Sequence, residues 1–185
     1  MKLIIFEGCD QLGKDSLIEE LSAQLRNYTI RHWSFPEGKT NDEKTAWQYA
    51  SFNNEFSHYT FLKSKFPQHV LFWNRSHLGE LVYGTLYRDS IPKQWVPLLE
   101  NTYDMNNDLD VYLIHLTADA EFIARKDDGH SYSASVESKQ KEIITFQNAI
   151  DNSKITNKLT IKVNDGNNYR DLQTISQEIR CFIGF

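Results

Sequence analysis

A short apolar run, Leu3-Ile4-Ile5-Phe6, leads through Glu7 straight into Gly8-Cys9-Asp10-Gln11-Leu12-Gly13-Lys14, and leucines then recur at positions 17, 21 and 25. The run reads as a buried strand, and the leucine spacing reads as a helix from Ser16 to Leu25. Between them, Gly8, Gly13 and Lys14 have the spacing of a phosphate-binding loop. Glycines let the backbone curl so that successive N–H groups face an anion. The helix that follows adds the positive end of its dipole, and Lys14 adds a full charge. Gly8, Asp10, Gly13, Lys14, Asp15 and Ser16 are therefore the candidate contacts to a nucleotide's phosphates. One position departs from the motif: Asp15 stands where a Ser or Thr normally meets magnesium. A carboxylate can also hold that ion, and Ser16 offers a hydroxyl beside it, so both are candidate metal ligands.

The remaining chain alternates strands and helices. Strand candidates are Tyr28 to Phe35, His69 to Trp73, Leu109 to Leu116 and Leu159 to Val163. Helix candidates are Asp42 to Lys65 (one long or two short), Ser76 to Tyr87, Pro92 to Tyr103, Glu137 to Ile150 and Tyr169 to Phe182. Such alternation predicts an α/β fold, with helices covering a mainly parallel five-stranded sheet in a three-layer sandwich. No linker divides residues 1–185, which read as a single domain.

Composition narrows the function classes. A formal charge of −5 argues against a protein that coats nucleic acid. It leaves room for a local basic pocket that takes a small anion. Two cysteines, Cys9 and Cys181, give neither a disulfide framework nor zinc spacing. The apolar start is too short for a signal peptide or a membrane span. A cytoplasmic location, no membrane and no stable nucleic-acid complex are the expectations, with a homodimer left open.

Several segments together resemble the thymidylate kinase family, and more loosely the viral deoxynucleoside monophosphate kinases, among the P-loop kinases. Phe6 to Ser16 looks like that family's first strand and loop. Phe35-Pro36-Glu37 is similar to its Phe-Pro turn after the second strand. Trp73-Asn74-Arg75-Ser76 stands where the family has an Asp-Arg pair, and Asn107 to Leu113 is like its fourth strand. The resemblance implies ATP and Mg2+ as cofactors and nucleotides as small-molecule substrates. It also implies a mobile lid around residues 118–136 that carries Arg125 and Lys126. Arg75 would touch the acceptor phosphate, so Lys14, Arg75 and Arg125 are the implied catalytic cations. Phe35, Pro36, Phe56, Glu80 and Tyr83 are candidate substrate contacts. Glu80, Tyr83 and Tyr87 share one helix face. Phe56 either stacks on a base or belongs to a buried stripe.

Three departures qualify the carry-over. Asn74 replaces the family's acidic residue, and Asp15 or Asp10 could compensate. Gln11 replaces a loop arginine found in some members. Thr60 lies about where an arginine helps read thymine, which leaves the base open. The expected activity is transfer of the ATP γ-phosphate to a deoxynucleoside monophosphate. A deoxynucleoside kinase is the nearest rival, because Asn74-Arg75-Ser76 also looks like that family's Glu-Arg-Ser. A kinase of modified bases in DNA and a nucleotide-binding protein without catalysis are further alternatives. A sugar hydroxyl needs a base, and Asn74 cannot accept a proton.

Overall fold

The strand Lys2–Glu7 (β1) is buried from Leu3 to Glu7, which is what a central strand of a covered sheet requires. The computed structural model describes residues 1–33, 36–88, 92–129 and 131–185. β1 pairs in parallel with Val70–Asn74 (β3) on one side and Val111–Thr117 (β4) on the other. Tyr28–His32 (β2) extends the sheet beyond β3, and Asn157–Lys162 (β5) extends it beyond β4. The order β2-β3-β1-β4-β5 makes a five-stranded, wholly parallel sheet, as the alternating pattern predicts.

Alternate side chains of the strands feed two cores. Ile4, Phe6, Phe72, Ile114 and Leu116 pack with Leu17, Ile18 and Leu21 of Lys14–Ser22 (α1). The same core takes Phe122 of Ala120–Lys126 (α5), Phe146 of Val136–Asn152 (α6) and Ile179 of Leu172–Ile183 (α7). Leu3, Ile5, Leu71, Trp73 and Leu113 face the other way. There they meet Phe52, Phe56 and Tyr59 of Asn41–Lys65 (α2), and Trp95 and Leu99 of Pro92–Thr102 (α4). His77–Tyr87 (α3) contributes Val82 and Tyr83 to the first core and Leu78 to the second. Each fully buried Leu, Ile or Phe contributes roughly 1.5–3 kcal/mol, so the sheet is fixed from both faces.

Some boundaries differ from expectation for local reasons. α2 is one helix, opened by a capping box between Thr40 and Glu43. α1 begins at Lys14 and stops before Leu25. Leu109 is 65 % exposed and precedes its strand. Asn164–Asp165 (β6) and Asn168–Tyr169 (β7) form a small antiparallel hairpin. That hairpin takes Tyr169 out of α7, whose cap is Asp171, accepting from the Thr174 N–H at 2.8 Å. α5 has no counterpart in the sequence reading. Among the described residues, no helix is long and apolar enough to cross a membrane.

Candidate active site

The C-terminal ends of β1, β3 and β4 lie side by side, where ligands of open α/β sheets gather. Residues 8–13 curl over this edge. Gly8 has φ 135°, Gln11 φ 62° and Gly13 φ 76°, and Gly13 is the N-cap of α1. A Cβ at Gly8 would sit 2.2 Å from the carbonyl oxygen of Leu116, so only glycine lets β1 turn there. Lys14 opens α1 with its side chain buried, its Nζ donating to the carbonyls of Gly8 (3.1 Å) and Cys9 (2.6 Å). Burial lowers its pKa, while the nearby Glu7 and Asp15 carboxylates pull the other way. The charge is therefore held against the loop rather than free in solvent.

At the end of β3, Arg75 adopts φ 72°, a conformation that costs a non-glycine residue on the order of 1 kcal/mol. Three contacts hold it. Its N–H donates to the Phe6 carbonyl (2.9 Å), its guanidinium donates to the Asp10 carboxylate, and it lies 5.4 Å over the Tyr83 ring. The strain aims Arg75 at the loop. Its neighbour Asn74 donates from Nδ2 to Asp15 Oδ1 at 2.6 Å, and His32 Nδ1 lies 3.4 Å from the same oxygen. A carboxylate thus stands at the strand end after all, supplied by α1. Below it, buried Glu7 accepts from Ser76 Oγ (2.5 Å) and the Gly79 N–H (2.9 Å), tying β1 to the start of α3. Burial raises the Glu7 pKa.

Beside Arg75 lies a cavity of about 330 Å³. Asp10 and Gln11 of the loop form one wall, and Tyr83 and Glu80 of α3 another. Trp33, Pro36 and Phe52 supply apolar surface, and Tyr132 comes from the segment between α5 and α6. Glu80 is buried and accepts from both the Gln48 carboxamide and the Arg88 guanidinium. Arg88 also donates to the Tyr132 hydroxyl at 2.7 Å. Tyr132 stacks on Tyr87 (4.6 Å, 6°) and on Tyr83 (5.9 Å, 27°).

The loop is tied to its surroundings on its other side as well. Gln11 donates to Asp128 at 2.6 Å, and its carbonyl accepts from the Tyr169 hydroxyl at 2.5 Å. Arg125 does not line the cavity. It donates to the Glu121 carbonyl (3.2 Å) and to Asn167 (2.6 Å), which commits it to the β6–β7 hairpin. Lys126 lies over the rings of Phe122 and Tyr169.

Asp10, Arg75, Glu80, Tyr83 and Pro36 thus line one cavity, Lys14 lies beneath the adjoining loop, and Phe35 lies outside the described residues. Phe56 requires a correction. It is fully buried between Trp73 (4.9 Å) and Tyr103 (5.4 Å), and core packing excludes it from substrate contact. Phe52, one turn earlier on α2, lines the cavity in its place. Sequence reasoning also passed over Gln48, Arg88 and Tyr132. Gln48 carries a readable signal: it is the polar member of the α2 stripe Gln48, Phe52, Phe56, Tyr59. Asp15 and Ser16 are both exposed at the loop. Among the described residues, no group of three or more His, Cys, Asp or Glu side chains could hold a metal. One carboxylate and a neighbouring hydroxyl nevertheless fit magnesium, which commonly takes one or two protein oxygens and completes its shell with phosphates and water.

Strand order, loop and cleft together define the α/β fold of the P-loop kinases. Two solved structures share it over nearly their whole length. The YorR protein of Bacillus subtilis, solved in complex with phosphorylated GDP, is 16% identical with a TM-score of 0.68, covering 99% of this chain and 96% of that one. Thymidylate kinase from Candida albicans is 13% identical with a TM-score of 0.67, covering 99% of this chain and 91% of that one. No family model and no curated protein matches the sequence. At these identities the likeness is one of fold, and that fold is thymidylate kinase-like.

Proposed function

We propose that this chain transfers the γ-phosphoryl group of ATP to the phosphate of a deoxynucleoside monophosphate. The observation that carries this reading is that loop residues Asp10 and Gln11 and the strand-end Arg75 wall the same cavity. An acceptor seated there meets the phosphates of a donor held by the loop. An oxygen of the acceptor phosphate attacks the γ-phosphorus, the bond to the β–γ bridging oxygen breaks, and ADP leaves. The acceptor oxygen is already ionised at neutral pH, so no strong general base is needed.

Lys14 and the loop N–H groups hold the donor's phosphates, and Arg75 orients the acceptor phosphate. Asp15, with Ser16 beside it, would hold Mg2+, which supplies charge neutralisation on the donor phosphates. The segment around residues 118–136 acts as the lid, with Tyr132 covering the cavity and Arg125 on the hairpin side of the loop. Closure keeps water from competing as acceptor.

A second reading has one observation in its favour. The Asp10 carboxylate lines the cavity, where it could take a proton from a sugar hydroxyl if Arg75 released it. Purified protein incubated with labelled ATP, Mg2+ and a panel of nucleosides, deoxynucleoside monophosphates and modified DNA separates the readings, with Lys14→Ala as the control. Label on monophosphates alone is expected. Label on nucleosides alone would favour the second reading, and equal turnover by a folded Lys14→Ala would remove the loop from the reaction.

A further inference from the structure

Three side chains that line this cavity carry a buried polar atom with no hydrogen-bond partner among the described residues: Gln48 Oε1, Trp33 Nε1 and the Tyr83 hydroxyl, which lies on the Arg75 side. Proteins leave few such atoms unpaired, because each forfeits its bonds to water on burial. Gln48 is 6% exposed, and its orientation is decided by what it faces. A carboxylate clamped by a guanidinium accepts and does not donate. Glu80, held by Arg88, therefore takes the NH2 end of the Gln48 carboxamide. The carbonyl oxygen is left as a fixed acceptor. Trp33 offers the opposite group, since an indole N–H only donates. Its ring packs 4.2 Å from that of Phe52, so the same wall presents flat apolar surface.

We infer that Gln48, positioned by Glu80 and Arg88, reads the base of the acceptor through one base N–H, with Trp33 donating to an acceptor atom of the same base. An acceptor and a donor set among aromatic rings match the edge of a nucleobase, which pairs ring N–H or amino groups with carbonyl or ring-nitrogen acceptors. A phosphate offers acceptors alone and does not match the Gln48 oxygen; a sugar hydroxyl can pair with either atom, and the base-free sugar phosphate in the test below separates it from a base. This inference rests on the acceptor reading proposed above. It also places base selection on α2 near Gln48, rather than at Thr60, whose hydroxyl is occupied by the Phe56 carbonyl at 3.0 Å.

The test compares wild type and Gln48→Met, which keeps length and removes the acceptor, on the four deoxynucleoside monophosphates and on 2-deoxyribose 5-phosphate. The preferred monophosphate should lose about tenfold in kcat/KM, chiefly through KM. Selectivity among bases should narrow, and the KM for ATP and the use of the base-free sugar phosphate should stay unchanged. A Gln48→Met enzyme with the wild-type ranking and KM overturns the inference while leaving the kinase reading intact. Absence of turnover of every monophosphate by wild type removes that reading and the inference with it. Should Gln48→Met fail to fold, wild type alone decides on its preferred monophosphate and the analogue methylated at the donor nitrogen. A loss of about tenfold on methylation supports the inference, and equal use of the two overturns it.

Discussion

A methyl group at position 8 would press on the backbone of β4, and φ 135° is a conformation that side-chain-bearing residues rarely adopt. Gly8→Ala should therefore destabilise the fold by about 3 kcal/mol or more, read as a fall in the urea midpoint. A wild-type midpoint would mean that the loop tolerates another path. In the proposed reaction Arg75 orients the acceptor phosphate. Arg75→Ala should raise the monophosphate KM at least tenfold, the scale of a lost charge-assisted bond, and change the KM for ATP far less. Equal losses for both nucleotides would assign Arg75 a general structural role. Asp15 and Ser16 differ in what they offer magnesium. Asp15→Ala should raise the Mg2+ concentration needed for half-maximal activity several-fold, more than Ser16→Ala does. An unchanged magnesium dependence, with lost stability alone, would make Asp15 only a favourable charge at the start of α1. At this scale the glycines, Lys14 and Arg75 are legible in the sequence, because backbone geometry and charge fix residue type. Gln48 shows only as the polar member of an apolar stripe, because its meaning depends on Glu80, which bonds it, and on Arg88 and Trp33, which line the same cavity from elsewhere in the chain.

The elements show which physical signals survive in one dimension. Central parallel strands are buried on both faces and read as continuous apolar runs, so β1, β3 and β4 stand out. α5 is too short for its Phe122 and Ile123 to make a period among the charges, and two-residue strands such as β6 and β7 have no pattern at all. Phe52 and Phe56 are both apolar at helical spacing, and only packing decides that one faces the cavity and the other the core. β4 also carries a pH dependence. His115 is buried beside Phe146, and desolvation depresses its pKa from 6.5 to about 4. The folded protein then holds a neutral imidazole that the unfolded chain protonates first. Its contribution is fully present above pH 6.5 and is lost as the pH falls towards 4, by up to about 3 kcal/mol. Glu7 has the opposite sign, because its raised pKa favours the folded state at low pH and loses that advantage as the pH rises. His115→Leu should therefore flatten the fall in unfolding free energy between pH 7 and 4.5, measured by urea titration. A variant with the wild-type slope would show that other groups set it.

For the whole molecule, the alternation of strands and helices made the fold class legible, whereas the cavity was not, because it closes only when β1, α2, α3 and the segment before α6 meet. That dependence predicts strong coupling between ligand and stability. ATP at a hundred times its dissociation constant should stabilise the fold by about 2.7 kcal/mol, roughly 5–10 °C in Tm, and Lys14→Ala should lose most of that shift. A wild-type Tm indifferent to ATP would sink the loop as a donor site. The sheet order also bears on synthesis. β1 is made first, yet its neighbours begin at Val70 and Val111, and the carbonyl on which Gly8 rests belongs to Leu116. Pairings that distant are slow to close. A nascent chain still short of β4 carries the complete loop sequence but has no surface to shape it, so the curled form of the loop arrives only with the last central strand.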